Sequence, residues 1–520
     1  MFPTRLLFFL LFISVINERA SALRALAIFP FPSKSHAIGI QHLFQAMARR
    51  GHSVDLVSHF PRDKPMENYR DISLRGILPS IPNSTTFDMF QSFNFLGMKD
   101  FVRIAGAETC DLLELPVFQE LMMTPRGTYD VIIIELFVAP CYVAFGEKLN
   151  APVVGAVTSK LPDWLFDSFG NPLNPSYMAS YFSSSTQRMT FWERLRNTLH
   201  VQNTRFQFDY YMTDQIAQVE KHFARRISSL DELYKDVALV LVNEHFSVND
   251  IKPTTPDIID IGGLHIYNNT QQLTTELQDW LDESTEGCVY FTFGSTVNFE
   301  SFPKEVLRIF YRSFERIAPV RVLMKGDPEV HSKDLSKNVK IVPWAPQIAV
   351  LKHKNVKAFI THGGLLGTQE AIAYKVPLIG IPLFGDQYPN LRNYANRGFA
   401  VVLELKALTE DSLTDAIITV LRDPTYSENI ARVSELFWDR PMNPLDTAIY
   451  WIEYAAKRGL VLKSPATELS WWKLHLLDVY GFMLICALTV LYAIIKLTTL
   501  LCSCASRVLP KKVPKSKKHN

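Results

Sequence analysis

Residues 344–387 read WAPQIAVLKHKNVKAFITHGGLLGTQEAIAYKVPLIGIPLFGDQ, and this block decides the fold. Residues 356–360 form a β-rich apolar run, and Thr361-His362-Gly363-Gly364 ends it in a permissive turn. From Gly367 the spacing becomes helical through Tyr374, and residues 376–382 then read as the next buried parallel strand. A strand, a glycine turn and a helix N-terminus leave free N–H groups and a positive dipole end, which suit a diphosphate. His362 at the turn can donate to phosphate, and Glu370 lies about two turns on, placed to accept from ribose hydroxyls. Asp386 and Gln387 follow the second strand at its carboxyl end, where open α/β sheets bind ligands, and together can read sugar hydroxyls. Each piece is common on its own. Their conjunction points to a nucleotide diphosphate with a sugar beyond it.

Outward from this block the same rhythm repeats. Residues 26–29, 53–57, 129–136, 153–157 and 238–242 read as buried strands, with an amphipathic helix at 39–50. The βαβ pattern restarts at Val289 after a turn-rich stretch, residues 253–284. A body of roughly 450 residues is too long for one core. Two doubly wound domains facing a cleft are expected, at 23–270 and 271–440, followed by a return helix and juxtamembrane segment at 441–478.

The ends address a compartment. Arg5, the apolar run 6–15 and Ala20-Ser21-Ala22 read as a secretory leader over residues 1–22. A second apolar run, 479–495, spans roughly 26 Å as a helix, enough to cross a membrane. The tail 496–520 carries Lys496, Arg507, Lys511, Lys512, Lys515, Lys517 and Lys518 and no acid, which places it in the cytosol and the body in the lumen. Of the 54 basic and 52 acidic residues, removing Arg5, Arg19, Glu18 and the seven tail cations leaves 45 against 51, a net −6. Such a body is a poor partner for nucleic acid. Cys110, Cys141 and Cys288 allow at most one luminal disulfide, with the pairing open; Cys502 and Cys504 sit where palmitoylation occurs. Asn83-Ser84-Thr85 and Asn268-Asn269-Thr270 are glycosylation sequons, and no spacing indicates a metal site.

Trp344-Ala345-Pro346-Gln347, His362-Gly363-Gly364, Glu370 and Asp386-Gln387, with their spacing, resemble the signature of the UDP-glycosyltransferases. The resemblance extends over nearly the whole chain, on the side of the membrane-anchored animal enzymes of UDP-glucuronosyltransferase type, and within them the invertebrate members. It implies a GT-B fold of two Rossmann-like domains plus the C-terminal transmembrane helix, with the helix at 445–457 returning across the first domain. It implies Trp344 on uracil, Gln347 and Glu370 on ribose, His362, Gly364 and Gly367 with Ser295 at the diphosphate, and Asp386 and Gln387 on the transferred sugar. Relatives often carry Asn where this chain has Leu366. The terminal Lys517-Lys518-His519-Asn520 is similar to the family's retrieval signal for the endoplasmic reticulum.

The acceptor side needs a base near neutral pH. His36, read in the loop between the first strand and the first helix, is the general base that the resemblance implies, with Glu135 in the place of the family's orienting aspartate. Asp130 reads as a strand-edge residue, and His42 and His52 as structural. The aromatic, arginine-bearing stretch 174–211 reads as a surface helix pair that, in the resembled enzymes, lies near the membrane and the acceptor's way in. Lys252-Pro253 stands where glucuronate users carry Arg-Pro, so UDP-glucose is favoured with UDP-glucuronate behind it. The expected activity is inverting transfer of a hexosyl group to a hydroxyl of small lipophilic acceptors, with the UDP-sugar as co-substrate, no metal cofactor, and a possible homo-oligomer at the endoplasmic reticulum membrane. The alternatives are a luminal nucleotide-sugar-binding protein without turnover and a dedicated lipid glycosyltransferase.

Overall fold

A computed structural model describes residues 22–78, 85–89, 97–183, 185–331 and 335–508. Residues 1–21 of the leader, Asn83 and Ser84 of the first sequon and the dilysine tail lie outside them. The chain divides into two compact units, residues 1–464 and 465–520.

Two fully parallel sheets build the first unit. The first contains β1 (Arg24–Phe29), β2 (Ser53–Ser58), β3 (Tyr69–Ser73), β4 (Val131–Glu135), β5 (Val153–Val157), β6 (Val237–Val242) and β7 (Ile258–Asp260), in the order β3-β2-β1-β4-β5-β6-β7. The second contains β8 (Cys288–Thr292), β9 (Arg321–Lys325), β10 (Val339–Val342), β11 (Val356–Thr361), β12 (Leu378–Gly380) and β13 (Ala400–Val402), in the order β10-β9-β8-β11-β12-β13. Strands such as Val-Ile-Ile-Ile-Glu and Val-Ala-Leu-Val-Leu-Val are buried at every position because helices cover both faces. Chain order reverses between β1 and β4 in one sheet and between β8 and β11 in the other. Crevices open at such reversals, outside the carboxyl ends of the strands. The GT-B expectation therefore holds in its essential geometry.

Sequence and structure differ at three places. The first helix spans Lys34–Arg49 rather than starting at Gly39, because Ser33 in extended geometry already supplies an N-terminus. The stretch 253–284 is not only turns: it holds β7 and the Thr275–Asp282 helix, capped by Thr274. Three residues of strand are too few to show a period. The aromatic stretch 174–211 yields one long helix, Phe191–Met212, opened by a Thr190–Glu193 capping box, rather than a pair.

The two sheets are sewn together by side chains. Gln369 donates to the Asn243 carbonyl and accepts from Gly263 N, each at 3.2 Å, while Asn393 donates to the Val248 carbonyl at 2.9 Å. On the other side, Thr85 pairs in a bridge with Val297. The Pro444–Arg458 helix follows both sheets in sequence yet lies on the first. Its Leu445, Ala448, Ile449, Ile452 and Ala455 share one core with Ala25, Ala27, Leu239 and Leu241. Cys110 and Cys141 form a disulfide, and Cys288 is a buried thiol in β8.

The second unit is short. After Trp471–Leu474 a helix runs Leu477–Val508, and its Leu477–Ala505 portion is long and apolar enough to cross a membrane. It extends past the expected 479–495 at both ends.

Candidate active site

The residues expected to meet the donor gather at the β8/β11 reversal. Thr361 lies beside Thr292 in the ladder, so the turns after the two strands, carrying His362 and Ser295, emerge as neighbours. His362 is wedged between glycines. A Cβ on Gly294 would stand 2.8 Å from its Cε1, and one on Gly364 would stand 2.6 Å from its Nε2. Gly294 also has φ +79°, so this turn takes glycine for conformation and for space alike. Gly364 opens the Leu365–Ala373 helix, whose first N–H groups face the turn.

Gln347 and Glu370 hold each other. The Gln347 amide donates to Glu370 Oε2 at 2.7 Å, Tyr290 donates to Gln347 Oε1 at 3.3 Å, and His265 Nε2 lies 3.2 Å from Glu370 Oε1. Gly367 makes room for this clasp: a Cβ there would sit 3.1 Å from the Gln347 amide nitrogen. Trp344 is 49 % exposed, with Lys34 Nζ 4.0 Å and Lys325 Nζ 5.4 Å from its ring centroid. Gln387 accepts on its side-chain oxygen from the N–H groups of Leu383 and Phe384. Asp386 accepts from Asn390 at 3.0 Å, and burial raises its carboxyl pKa. Leu366, in place of the expected Asn, points at the first half: its Cδ2 lies 3.4 Å from where Gly39 would carry a Cβ.

The residues expected on the acceptor side gather at the β1/β4 reversal, where Ile28 pairs with Ile134. His36 lies in the first turn of the Lys34–Arg49 helix, not in a loop before it. Its Nδ1 is 2.5 Å from Glu135 Oε1 at the end of β4, and Glu135 is buried. Phe31 and Phe137 pack on the imidazole at 5.1 and 4.9 Å, and Phe101 continues the aromatic wall. Asp130 stands at the opposite end of β4, paired with Arg24 at 2.8 Å. His42 Nε2 lies 2.6 Å from the Tyr267 carbonyl, and His52 Nδ1 accepts from Leu23 N, so both are used in structure. Lys252 is committed: its Nζ is 2.6 Å from buried Glu244.

Burial, then the Lys325 ammonium, hold His362 down at about 4, so it is neutral at pH 7. Burial and Arg440 bring His245 to about 3. Both groups titrate near 6.5 when unfolded, so the unfolded chain takes up protons that the native state refuses. Stability from these groups is full above about pH 6.5 and is lost as pH falls towards 4. The thermal midpoint is expected to drop over that window, and His362→Gln should flatten the drop. Midpoints measured at pH 7 and pH 4.5 check it.

Lys34, Lys325 and His265 were not singled out by sequence. Lys325 ends β9 at a carboxyl edge, which is the one signal that could have marked it. His265 carries no local motif.

A family model described as UDP-glucoronosyl and UDP-glucosyl transferase matches residues 85–512. UDP-glucosyltransferase 2 of Dactylopius coccus is 35% identical over 493 residues, covering 92% of this chain and 93% of that protein. UDP-glucuronosyltransferase 2B1 of Rattus norvegicus is 30% identical over 520 residues, covering 95% and 96%. Among solved structures, the glycosyltransferase VinC in complex with dTDP aligns with a TM-score of 0.58 at 17% identity, over 84% of this chain and 100% of that one.

Proposed function

Because this chain belongs to the UDP-glucoronosyl and UDP-glucosyl transferase family, we propose that it transfers glucose from UDP-glucose to a hydroxyl of small lipophilic acceptors, with inversion. The observation that carries this reading is the His36–Glu135 pair set in an aromatic wall. Nδ1–H donates to the carboxylate, so Nε2 presents a lone pair to the acceptor. As the acceptor oxygen bonds to the anomeric carbon, Nε2 takes its proton and the bond from that carbon to the diphosphate oxygen breaks. UDP leaves with the bonding electrons, and Glu135 stabilises the imidazolium. Phe31, Phe101 and Phe137 favour an apolar acceptor.

On the donor, Trp344 would carry uracil, Gln347 and Glu370 the ribose, and the Ser295 and His362–Gly364–Gly367 turns the diphosphate. Asp386 and the Gln387 amide would hold the sugar. The reading contains no metal. Glucose is preferred over glucuronate because Lys252, the cation placed to meet a sugar carboxylate, is already neutralised by Glu244. We place the body in the lumen of the endoplasmic reticulum, anchored by the Leu477–Val508 helix with the basic tail in the cytosol. The Cys110–Cys141 disulfide and exposed Asn268 fit an oxidising, glycosylating compartment. A role in conjugating lipophilic compounds follows from the acceptor class.

Membranes carrying the full chain, given a lipophilic phenol, are expected to form glucoside from UDP-glucose at least about tenfold faster than glucuronide from UDP-glucuronate. Without a desolvated cation for it, a carboxylate loses on the order of 1.4 kcal/mol or more, which is that factor. Glucuronide as the main product would overturn the donor assignment.

A further inference from the structure

Lys34 stands where a cation is disfavoured. It is the first residue of a 16-residue helix, immediately after the N-cap Ser33, so the positive end of the helix dipole opposes it. Its ammonium lies over the Trp344 ring at 4.0 Å, and a second ammonium, Lys325, approaches the same ring at 5.4 Å. Lys34 makes no ion pair and no side-chain hydrogen bond among the described residues. The two lysines come from opposite halves of the first unit, one after β1 and one at the end of β9. Lys325 donates to the Gly294 carbonyl at 2.7 Å, in the turn that packs on His362 and leads into Ser295. Positive charge from both halves thus gathers beside one half-exposed indole.

We propose that Lys34 is a diphosphate-binding residue contributed across the cleft by the acceptor-side half, and that its contact with Trp344 is the alternative to uracil stacking on the same ring. This inference rests on the UDP-sugar reading and adds a residue to it. A ring face holds an ammonium or a pyrimidine, not both. As the base takes the ring, Nζ moves to the phosphate oxygens at the Leu365–Ala373 helix terminus. Burial lowers the pKa of Lys325, the Glu300 carboxylate opposes that shift, and the ammonium of Lys34 adds to it.

The test is equilibrium binding of radiolabelled UDP and of radiolabelled uridine to the full chain in membranes, comparing the unsubstituted protein with Lys34→Met and Lys34→Arg. For Lys34→Met, UDP binding should weaken by about tenfold or more, as expected for a lost charge-assisted contact. Uridine, which has no phosphate, should bind as before or more tightly, because the ring is freed. Lys34→Arg should restore most of the UDP affinity, and added salt should narrow the gap between the unsubstituted protein and Lys34→Met. If UDP and uridine shift together, or UDP binding is unchanged or tightened in Lys34→Met, the proposal fails and Lys34 only covers the indole. Binding, not turnover, is measured. A chain that shows the UDP–uridine split yet transfers no glucose would retire the proposed reaction and leave the Lys34 assignment standing.

Discussion

His36→Ala is expected to lower kcat by roughly 10²–10⁴-fold while leaving the dissociation constant for UDP within about twofold. The imidazole belongs to the acceptor side and makes its hydrogen bond to Glu135, within the same half. Nothing in the Gln347–Glu370 clasp or the His362 wedge depends on it. Glu135→Gln separates the two parts of the pair. The amide keeps the packing of a buried side chain but can no longer stabilise an imidazolium, so kcat should fall while the acceptor KM holds. Turnover in the His36→Ala protein within a few-fold of the unsubstituted chain would remove His36 from its role as base.

The second large effect is expected at Glu370. Glu370→Ala should raise the donor KM by about 10–100-fold, the loss of one or two charge-assisted hydrogen bonds worth ~1.5–3 kcal/mol. The carboxylate is buried and already orients the Gln347 amide, so on the proposed donor pose its removal would delete one ribose contact and loosen a second. Because ribose is common to uridine and UDP, both should weaken by the same factor. That is the opposite pattern from the one expected for Lys34→Met. Direct binding of uridine and UDP to the Glu370→Ala protein checks it, and a loss confined to UDP would move Glu370 away from the ribose.

The layout of these sites was legible wherever a buried strand met a glycine turn. Residues 153–157 and the β11–β12 block stand in the structure almost as the period of the sequence implies, because strands covered on both faces advertise themselves as apolar runs. β3 and β7 escaped because they are edge strands, partly exposed or three residues long. The helix start at Lys34 escaped because the residues of its first turn, Lys34-Ser35-His36, carry no apolar stripe; its cap, not its period, defines it. The clasp between Gln347 and Glu370 and the pairing of Lys252 with Glu244 depend on tertiary distance. No local pattern encodes that. Leu366 shows the same limit from the other side. It stands where relatives often carry Asn, and its Cδ2 lies 3.4 Å from where Gly39 would carry a Cβ, a neighbour that no local pattern names.

The Pro444–Arg458 helix also has a consequence for biosynthesis. The last strand of the first sheet ends at Asp260, but the helix that covers Ala25, Ala27, Leu239 and Leu241 begins at Pro444. At roughly 5–20 residues per second, the ribosome delivers that cover some 10–40 s after the sheet's own strands have emerged. The first sheet therefore waits with that face only partly covered, by the Lys34–Arg49 helix, through synthesis of the entire second sheet, and is a client for chaperones during that interval. Nonsense or frameshift alleles that end the chain between residues 388 and 443 would strand the nascent protein in this unfinished form even though every residue assigned to chemistry had been made.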